Sequence, residues 1–168
     1  METQGLNLYI VDDNISMVTA LKQYLQNRFG NGLNISTFND GDNCLKRVNK
    51  DTDIVILDYH MDGKNGVDTL KSIKEINPST EVIMLTSNED IGLAIESYRE
   101  GAAEYIIKGP TAWKRIAAAV NNVVTAPIRF MVREFGVSKF AAIFLMTFIT
   151  MGVIVIAVLK FLPNILPF

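Results

Sequence analysis

Apolar runs alternate with amphipathic stretches along the first 126 residues of the chain. The run at 6–11 predicts a strand, and the helical spacing of Val18, Leu21 and Leu25 predicts a helix over 15–29. The same alternation predicts four more strands, at 33–38, 53–58, 81–86 and 104–108, followed in turn by helices at 42–49, 67–76, 90–100 and 112–124. Five such units in succession are typical of a parallel sheet covered by helices on both faces.

The end of the chain has a different pattern, in which apolar residues continue on every side of the predicted helix. The twenty residues from Phe140 to Leu159 carry no charge and stand between Lys139 and Lys160. Twenty helical residues extend about 30 Å, which matches the hydrocarbon core of a bilayer. Twelve of the twenty are Leu, Ile, Val or Phe, so we expect a transmembrane helix over 139–160 rather than a buried core helix.

The two patterns divide the chain into segments. We expect a folded domain at 1–126, a juxtamembrane segment at 127–138, the transmembrane helix at 139–160 and a short C-terminal tail at 161–168. Arg129, Arg133 and Lys139 precede the span and only Lys160 follows it, which predicts a cytoplasmic domain and an outside C-terminus. The juxtamembrane segment either lies at the lipid interface as an amphipathic helix or continues the preceding helix.

Charge is distributed unevenly between these segments. Residues 1–126 hold 12 Lys and Arg against 17 Asp and Glu, a net charge of −5, whereas residues 127–168 hold 4 against 1, a net charge of +3. Phosphate contacts need clustered Lys and Arg, so we expect no nucleic-acid partner. The single cysteine, Cys44, excludes an intramolecular disulfide, and its place in a predicted helix indicates a buried, unreactive thiol.

Polar side chains occupy the carboxyl ends of the predicted strands. Asp12 and Asp13 follow the first strand, Asp58 ends the third, Thr86 ends the fourth and Lys108 ends the fifth. In a sheet of strand order 2-1-3-4-5, the first and third strands are neighbours at the switch point, so the three carboxylates converge. Their repulsion favours a bound cation, and oxygen ligands with open positions suit Mg²⁺.

A cation in such a cluster permits phosphoryl transfer. One carboxylate can serve as the nucleophile toward a phosphoryl donor, while the cation and Lys108 neutralise the developing charge. The hydroxyl of Thr86 can then hydrogen-bond the transferred group, and its position would differ between the free and the modified protein. The strand ends therefore predict a switch as well as a reaction.

The order of these residues resembles that of a response-regulator receiver domain, over about residues 5–125. The resemblance rests on five elements: Asp12-Asp13 after the first strand, Asp58 in VILDYHMDGKNG, Gly66 in the loop that follows, Thr86 in MLTS and Lys108 in YIIKGP. It implies a flavodoxin-like α/β fold, with a doubly wound, five-stranded parallel sheet of order 2-1-3-4-5.

The resemblance also implies a reaction. Asp58 would accept a phosphoryl group from a histidine kinase or a phosphotransfer protein, as a phosphoacceptor that phosphorylates and dephosphorylates itself rather than as a turnover enzyme. Asp12, Asp13 and Asp58 would hold Mg²⁺, with the backbone carbonyl of His60 as a further ligand.

A switch is implied as well. Thr86 and Tyr105 resemble the coupled hydroxyl and aromatic pair whose rearrangement reshapes the face of the fourth helix, fifth strand and fifth helix; the alternative for Tyr105 is a plain core aromatic.

A phosphatase of the haloacid-dehalogenase type would need a second Asp two residues after the nucleophile, where this chain has His60. The His60 ring could ligate a transition metal, but a solvent-facing loop residue is the expected role.

Two positions depart from the family pattern. The family usually has Pro directly after the motif lysine, whereas here Gly109 stands between Lys108 and Pro110, and the conformational freedom of Gly lets the lysine reach the site. Asp62 occupies the usual place of Pro in the loop after the phosphoacceptor, where we expect a solvated turn residue; the alternative is a carboxylate that tunes metal affinity or dephosphorylation.

These expectations combine into a membrane-anchored response regulator without an output domain of its own. Such a protein would signal through a partner, expected to be another membrane protein, while the tail contacts lipid. Two alternatives remain open: a receiver-like scaffold or anchor that is not phosphorylated, and a phosphate sink that drains a kinase.

Overall fold

The computed structural model describes residues 5–61, 65–87, 89–135 and 139–161, and within them the side chains outside 126–142, 159 and 161. Two compact units make up the chain, Met1–Val124 and Thr125–Phe168. The side chains of the juxtamembrane segment, the tail beyond Phe161 and the turn residue Asp62 lie outside the described part, so the predictions for them are not addressed by the structure.

The first unit is built on a five-stranded parallel sheet in the order β2-β1-β3-β4-β5. Its strands are β1 Leu6–Val11, β2 Leu33–Phe38, β3 Ile54–Asp58, β4 Glu81–Thr86 and β5 Glu104–Ile107. Its helices are α1 Ile15–Phe29, α2 Gly41–Leu45, α3 Gly66–Ile76, α4 Ile91–Arg99 and, up to Val124, α5 Ala112–Phe135, with a short 3-10 helix at Gly30–Gly32. The predicted fold class and strand order are confirmed.

Two helix ends differ from the prediction by more than one residue. Helix α2 ends at Leu45 rather than at residue 49, because the side chain of Asn49 accepts from the Asp51 amide at 2.8 Å and its own amide donates to Thr52 Oγ1 at 3.1 Å. These local bonds compete with helix continuation. Helix α5 does not stop at Val124 but runs to Phe135, as in the alternative in which the preceding helix continues.

The core lies on both faces of the sheet because successive strand residues point to opposite sides. Leu8 and Ile10 of β1 belong to one apolar cluster with residues of α1 and α5, and Val11 belongs to a second cluster with residues of α2 and α3. Every residue of the central strand β3 is buried. Cys44 is fully buried in the second cluster, and burial raises its pKa to about 12, as expected for an unreactive thiol.

The second unit contains helix α6, Lys139–Phe161. Its described large apolar side chains from Ile143 to Val158 are 49–71% exposed, and the hydroxyls of Thr147 and Thr150 donate to carbonyls of the preceding turn. Among the helices of the described residues, none has the length together with the hydropathy that a membrane crossing needs. The predicted transmembrane character of 139–160 is therefore not supported by the structure.

Candidate functional site

Three carboxylates meet at the carboxyl ends of β1 and β3. The strands are neighbours, with Val11 opposite Leu57, so Asp12 and Asp13 emerge beside Asp58. One carboxylate oxygen from each of the three lies within 4.8 Å of the others. Asp12 and Asp58 are each 3% exposed and Asp13 is exposed. The convergence predicted from the strand order is thus observed, and the cluster opens to solvent on the side of Asp13.

Lys108 at the end of β5 reaches into this cluster. Its Nζ lies 2.8 Å from Asp12 Oδ2 and 2.8 Å from Asp58 Oδ2, and it donates a hydrogen bond to each. The Lys108 amide donates to the carbonyl of Thr86 at 2.6 Å, which fixes the start of the side chain. The following residue, Gly109, does not prevent this reach; its carbonyl accepts from the Ala112 amide at 3.0 Å as α5 begins.

The charges in the cluster do not balance, because one ammonium faces three carboxylates. Burial raises the pKa of Asp58 above its ordinary value and the charge of Asp12 adds to this, while the hydrogen bond and charge of Lys108 oppose it. Burial also works against the ammonium of Lys108, but the hydrogen bonds and charges of Asp12 and Asp58 outweigh it and raise the pKa of the lysine. The single ammonium of Lys108 therefore balances only part of the carboxylate charge in the cluster.

The first turns of α1 and α3 hold the carboxylate cluster in place. Asp12 Oδ1 accepts from the Asn14 amide at 2.9 Å, and Asn14 Oδ1 caps α1 by accepting from the Met17 amide at 3.0 Å. On the other strand, α3 begins at Gly66, where a Cβ would lie 2.6 Å from the carbonyl oxygen of Asp58. Only Gly allows the first turn of α3 to approach β3 so closely.

The donor set fits a hard divalent cation. Asp58 Oδ1 is buried and has no hydrogen-bond partner among the described residues, which is costly for a carboxylate oxygen unless a cation satisfies it. The other ligands available are the carboxylates of Asp12 and Asp13, and oxygen-only sets of this kind suit Mg²⁺.

His60 lies two residues after Asp58 and is exposed, with its ring edge-on to Tyr59 at 4.7 Å between centroids. Within the described residues, the cluster able to hold a metal comprises the three carboxylates and does not include the His60 ring. The solvent-facing loop position that we expected is thus observed. The role of its backbone carbonyl as a metal ligand stays a prediction.

Thr86 and Tyr105 are in contact. Thr86 is fully buried at the end of β4, Tyr105 is 7% exposed in β5, and their side chains are hydrogen-bonded. Burial raises the pKa of Tyr105, and the bond with Thr86 opposes that rise. Leu93 and Ala94 of α4 pack against the apolar cluster to which Tyr105 belongs. The structure therefore brings the predicted pair together, and its switching role stays a prediction.

Sequence reasoning missed two residues next to Tyr105. The Tyr105 amide donates to the hydroxyl of Tyr98 in α4 at 3.1 Å, and Arg115 Nη2 in α5 donates to the Tyr105 carbonyl at 3.1 Å. Neither side chain belongs to a motif or a strand end, so no pattern in the sequence indicated them. They were found only through their contacts.

A cavity of about 560 Å³ adjoins Lys108. It lies between α1 and the start of α5, and its walls include Met17, Tyr24, Pro110 and Trp113, with the rings of Tyr24 and Trp113 in contact at 5.3 Å. Lys108, the lysine of the acidic cluster, therefore borders an apolar recess. The sequence pattern did not predict it, because its walls come from two distant segments.

Comparison with known proteins gives a consistent result. A family model described as "Response regulator receiver domain" matches residues 8–121. The transcriptional regulatory protein ZraR of Escherichia coli strain K12 is 34% identical over 125 residues, 74% of this chain and 27% of that protein. The DNA-binding transcriptional regulator NtrC of Klebsiella pneumoniae is 35% identical over 101 residues, 60% of this chain and 21% of that protein. The chain spans about a quarter of the length of the curated relatives it matches.

Solved structures agree in fold. The response regulator DrrB of Thermotoga maritima superposes with a TM-score of 0.64 at 24% identity, over 73% of this chain and 54% of that one. The receiver domain of an HD domain-containing protein from Pseudomonas fluorescens Pf-5 superposes with a TM-score of 0.65 at 22% identity, over 73% of this chain and 96% of that one. At these identities the likeness establishes the fold.

Proposed function

Because this chain belongs to the response regulator receiver domain family, we propose that it is a phosphorylation switch with Asp58 as its phosphoacceptor. Receiver domains accept a phosphoryl group on an aspartate. The observation that carries the proposal is the pairing of a buried Asp58 with the Lys108 ammonium, beside two further carboxylates. The donor would be a histidine kinase or a phosphotransfer protein, and the output would pass to a partner protein.

The side chains support a simple transfer step. A carboxylate oxygen of Asp58 attacks the phosphorus of a phosphohistidine, the bond from phosphorus to nitrogen breaks, and the electron pair returns to the imidazole, which takes a proton from water. Lys108, already 2.8 Å from Asp58 Oδ2, compensates negative charge at the carboxylate throughout. Receiver domains bind Mg²⁺ at such an acidic pocket; here Asp12, Asp13 and Asp58 would hold it, and it would compensate charge on the phosphoryl oxygens.

Phosphorylation would be transmitted through Thr86. The residue follows Leu85, the β4 partner of Asp58, and its hydroxyl is the polar group that can turn toward a new phosphoryl oxygen. Since Thr86 is hydrogen-bonded to Tyr105, a change at Thr86 alters the environment of that ring and the adjacent α4. Phosphorylation would thus be a local change of charge at Asp58 that is coupled to the packing of α4.

A donor protein would approach from the solvent side of the cluster. The apolar recess beside Lys108, with Trp113 and Tyr24 in its wall, offers a surface for an apolar side chain of such a donor. The named activities of the relatives, including DNA binding by NtrC, belong to those longer proteins. For this chain, the absence of a nucleic-acid partner remains part of the proposal, based on the acidic charge of residues 1–126.

Phosphoryl acceptance is testable with a small donor. Full-length chain incubated with radiolabelled acetyl phosphate should incorporate phosphate when Mg²⁺ is present and lose most of that labelling in EDTA. Equal labelling in EDTA would contradict the metal requirement. An unlabelled wild-type chain would reject the switch and favour the scaffold reading, whereas labelling without any state-dependent partner would favour a phosphate sink.

The membrane location belongs to this proposal as well. It is supported by the uncharged run Phe140 to Leu159 and by the exposure of its described apolar side chains, including Phe148 at 71%. The chain expressed in cells should remain in the membrane pellet after alkaline carbonate extraction, while a version ending at residue 126 should be extracted. Release of the full-length chain by carbonate would contradict the anchor, and the predicted membrane-protein partner would lose its basis.

A further inference from the structure

Strand β5 forms one edge of the sheet, since it pairs with β4 alone. The backbone groups on the outer side of an edge strand have no ladder partner, and proteins cover or blunt such edges. In β5 these groups include the amide and the carbonyl of Tyr105, which are bonded to side chains rather than to another strand. Both outward-facing backbone groups of Tyr105 are therefore hydrogen-bonded, so this residue offers no free pairing site to another strand.

The two covering side chains come from different helices. Tyr98 of α4 accepts from the Tyr105 amide at 3.1 Å, and Arg115 of α5 donates to the Tyr105 carbonyl at 3.1 Å. Arg115 also lies 3.5 Å from Glu104 Oε2, which holds its guanidinium over the strand. We call Tyr98, Tyr105 and Arg115 the edge clamp. Through it, one residue of β5 is tied to the helices on both sides.

The edge clamp is also connected to the phosphoacceptor site, through the side chain of Tyr105. The Tyr105 ring is buried and its side chain is hydrogen-bonded to Thr86, which lies next to the β4 partner of Asp58. Tyr105 thus contacts the site with its side chain and the flanking helices with its backbone. A shift of the Tyr105 ring would therefore move the backbone of Tyr105, whose amide is bonded to the Tyr98 hydroxyl.

Helix α4 has other attachments, namely the packing of Leu93 and Ala94 and the ion pair of Glu96 with Lys71, but few of its residues are buried. Ser97 is its one fully buried residue among those described, whereas Ile91 is 75% exposed and Ile95 is 55% exposed. Elements with little buried apolar surface are the first to move, because displacing them costs little free energy. For α4, a single hydrogen bond such as that of Tyr98 is then a considerable share of what holds the helix to β5.

We propose that Tyr98 is a positioning residue of the switch, whose hydroxyl holds α4 on the edge of β5 in the unphosphorylated chain and is released when Asp58 is phosphorylated. This rests on the proposed function for its second half. An interaction made in only one of two states biases the equilibrium between them, and it is lost at a free-energy cost when the other state forms. Removing the Tyr98 hydroxyl should therefore make phosphorylation easier.

The test compares Tyr98→Phe with Tyr9→Phe in the full-length chain in detergent micelles. Tyr9 is a matched control, because its hydroxyl donates to a backbone carbonyl, that of Arg47, at 3.2 Å and away from β5. Hydrogen exchange of the Tyr105 amide, followed by NMR without any phosphoryl donor, should become about threefold to tenfold faster in Tyr98→Phe. Tyr9→Phe should leave it unchanged.

A second readout connects Tyr98 to the reaction. The initial rate of labelling by acetyl phosphate should rise about threefold in Tyr98→Phe. The rise should disappear when Tyr105 is already Phe, because the effect reaches Thr86 through the Tyr105 hydroxyl. A merely structural role would give the same factor in both backgrounds. Unchanged Tyr105 exchange in Tyr98→Phe overturns the positioning role, and faster exchange with an unchanged labelling rate overturns the release. If the wild type does not label at all, the proposed function fails, while the exchange result still decides whether Tyr98 positions β5.

Discussion

Replacing Asp58 by alanine should reduce phosphate incorporation from acetyl phosphate to background, a loss of at least about a hundredfold. The reason is that the nucleophile itself is removed, while Lys108 keeps its other partner, Asp12 Oδ2 at 2.8 Å. The variant should fold, because one carboxylate fewer reduces the repulsion among the three in the cluster. The measurement is radiolabel incorporation in Mg²⁺, with urea unfolding to verify the fold.

Asp51→Ala is the control for this variant. Asp51 is an exposed acid just before β3, at the opposite end of that strand from Asp58, so it should label like the wild type. Labelling of Asp58→Ala at the wild-type rate would mean that another group receives the phosphoryl, and would remove the basis of the proposed reaction.

Lys108→Met should affect both the reaction and the stability. The labelling rate should fall by about a hundredfold or more, because the cation that compensates charge at Asp58 is lost. The free energy of unfolding in the absence of Mg²⁺ should fall by about 2 to 3 kcal/mol at neutral pH, since two buried carboxylates lose their shared counter-ion. Lys114→Met, at an exposed lysine with no ion pair among the described residues, should change stability by less than about 0.5 kcal/mol.

The pH dependence of that loss has a defined sign. The pKa of Asp58 is raised by burial, so a charged Asp58 disfavours the folded state and its cost grows as the pH rises through the raised pKa. Without Lys108 that pKa rises further. The stability difference between Lys108→Met and the wild type should therefore be largest at neutral pH and shrink toward acidic pH, in urea unfolding at several pH values. A difference that grows on acidification would contradict the ion-pair account.

The fold was predictable because its periodic segments are strong and its strand ends are chemically distinctive. Strands β1, β2 and β4 and helix α1 have the predicted bounds. Helix α2 was predicted too long, since apolar spacing does not report that the Asn49 side chain takes over local hydrogen bonds. The predicted end of α5 at Val124 lies just before Pro127, a residue that disfavours a helix interior, yet the helix runs to Phe135, as the alternative of a continuing helix allowed.

The acidic site followed from the order of strands, whereas its surroundings did not. Once β1 and β3 are neighbours, Asp12 and Asp58 must converge, and Lys108 needs only a long side chain to reach them. The edge clamp depends instead on where Tyr98 and Arg115 point around the rim of β5. The orientation of these two side chains depends on how α4 and α5 pack against the sheet, and the residue spacing within one helix does not predict that packing.

Localisation of the phosphoryl group tests the central claim most directly. Full-length chain is incubated with acetyl phosphate and Mg²⁺, reduced with borohydride to convert an aspartyl phosphate to homoserine, digested and sequenced by mass spectrometry. The account predicts homoserine at position 58 in the phosphorylated sample and aspartate there in the sample without donor. Conversion at another acidic residue, or at none while the chain is folded and Mg²⁺ is bound, would contradict it.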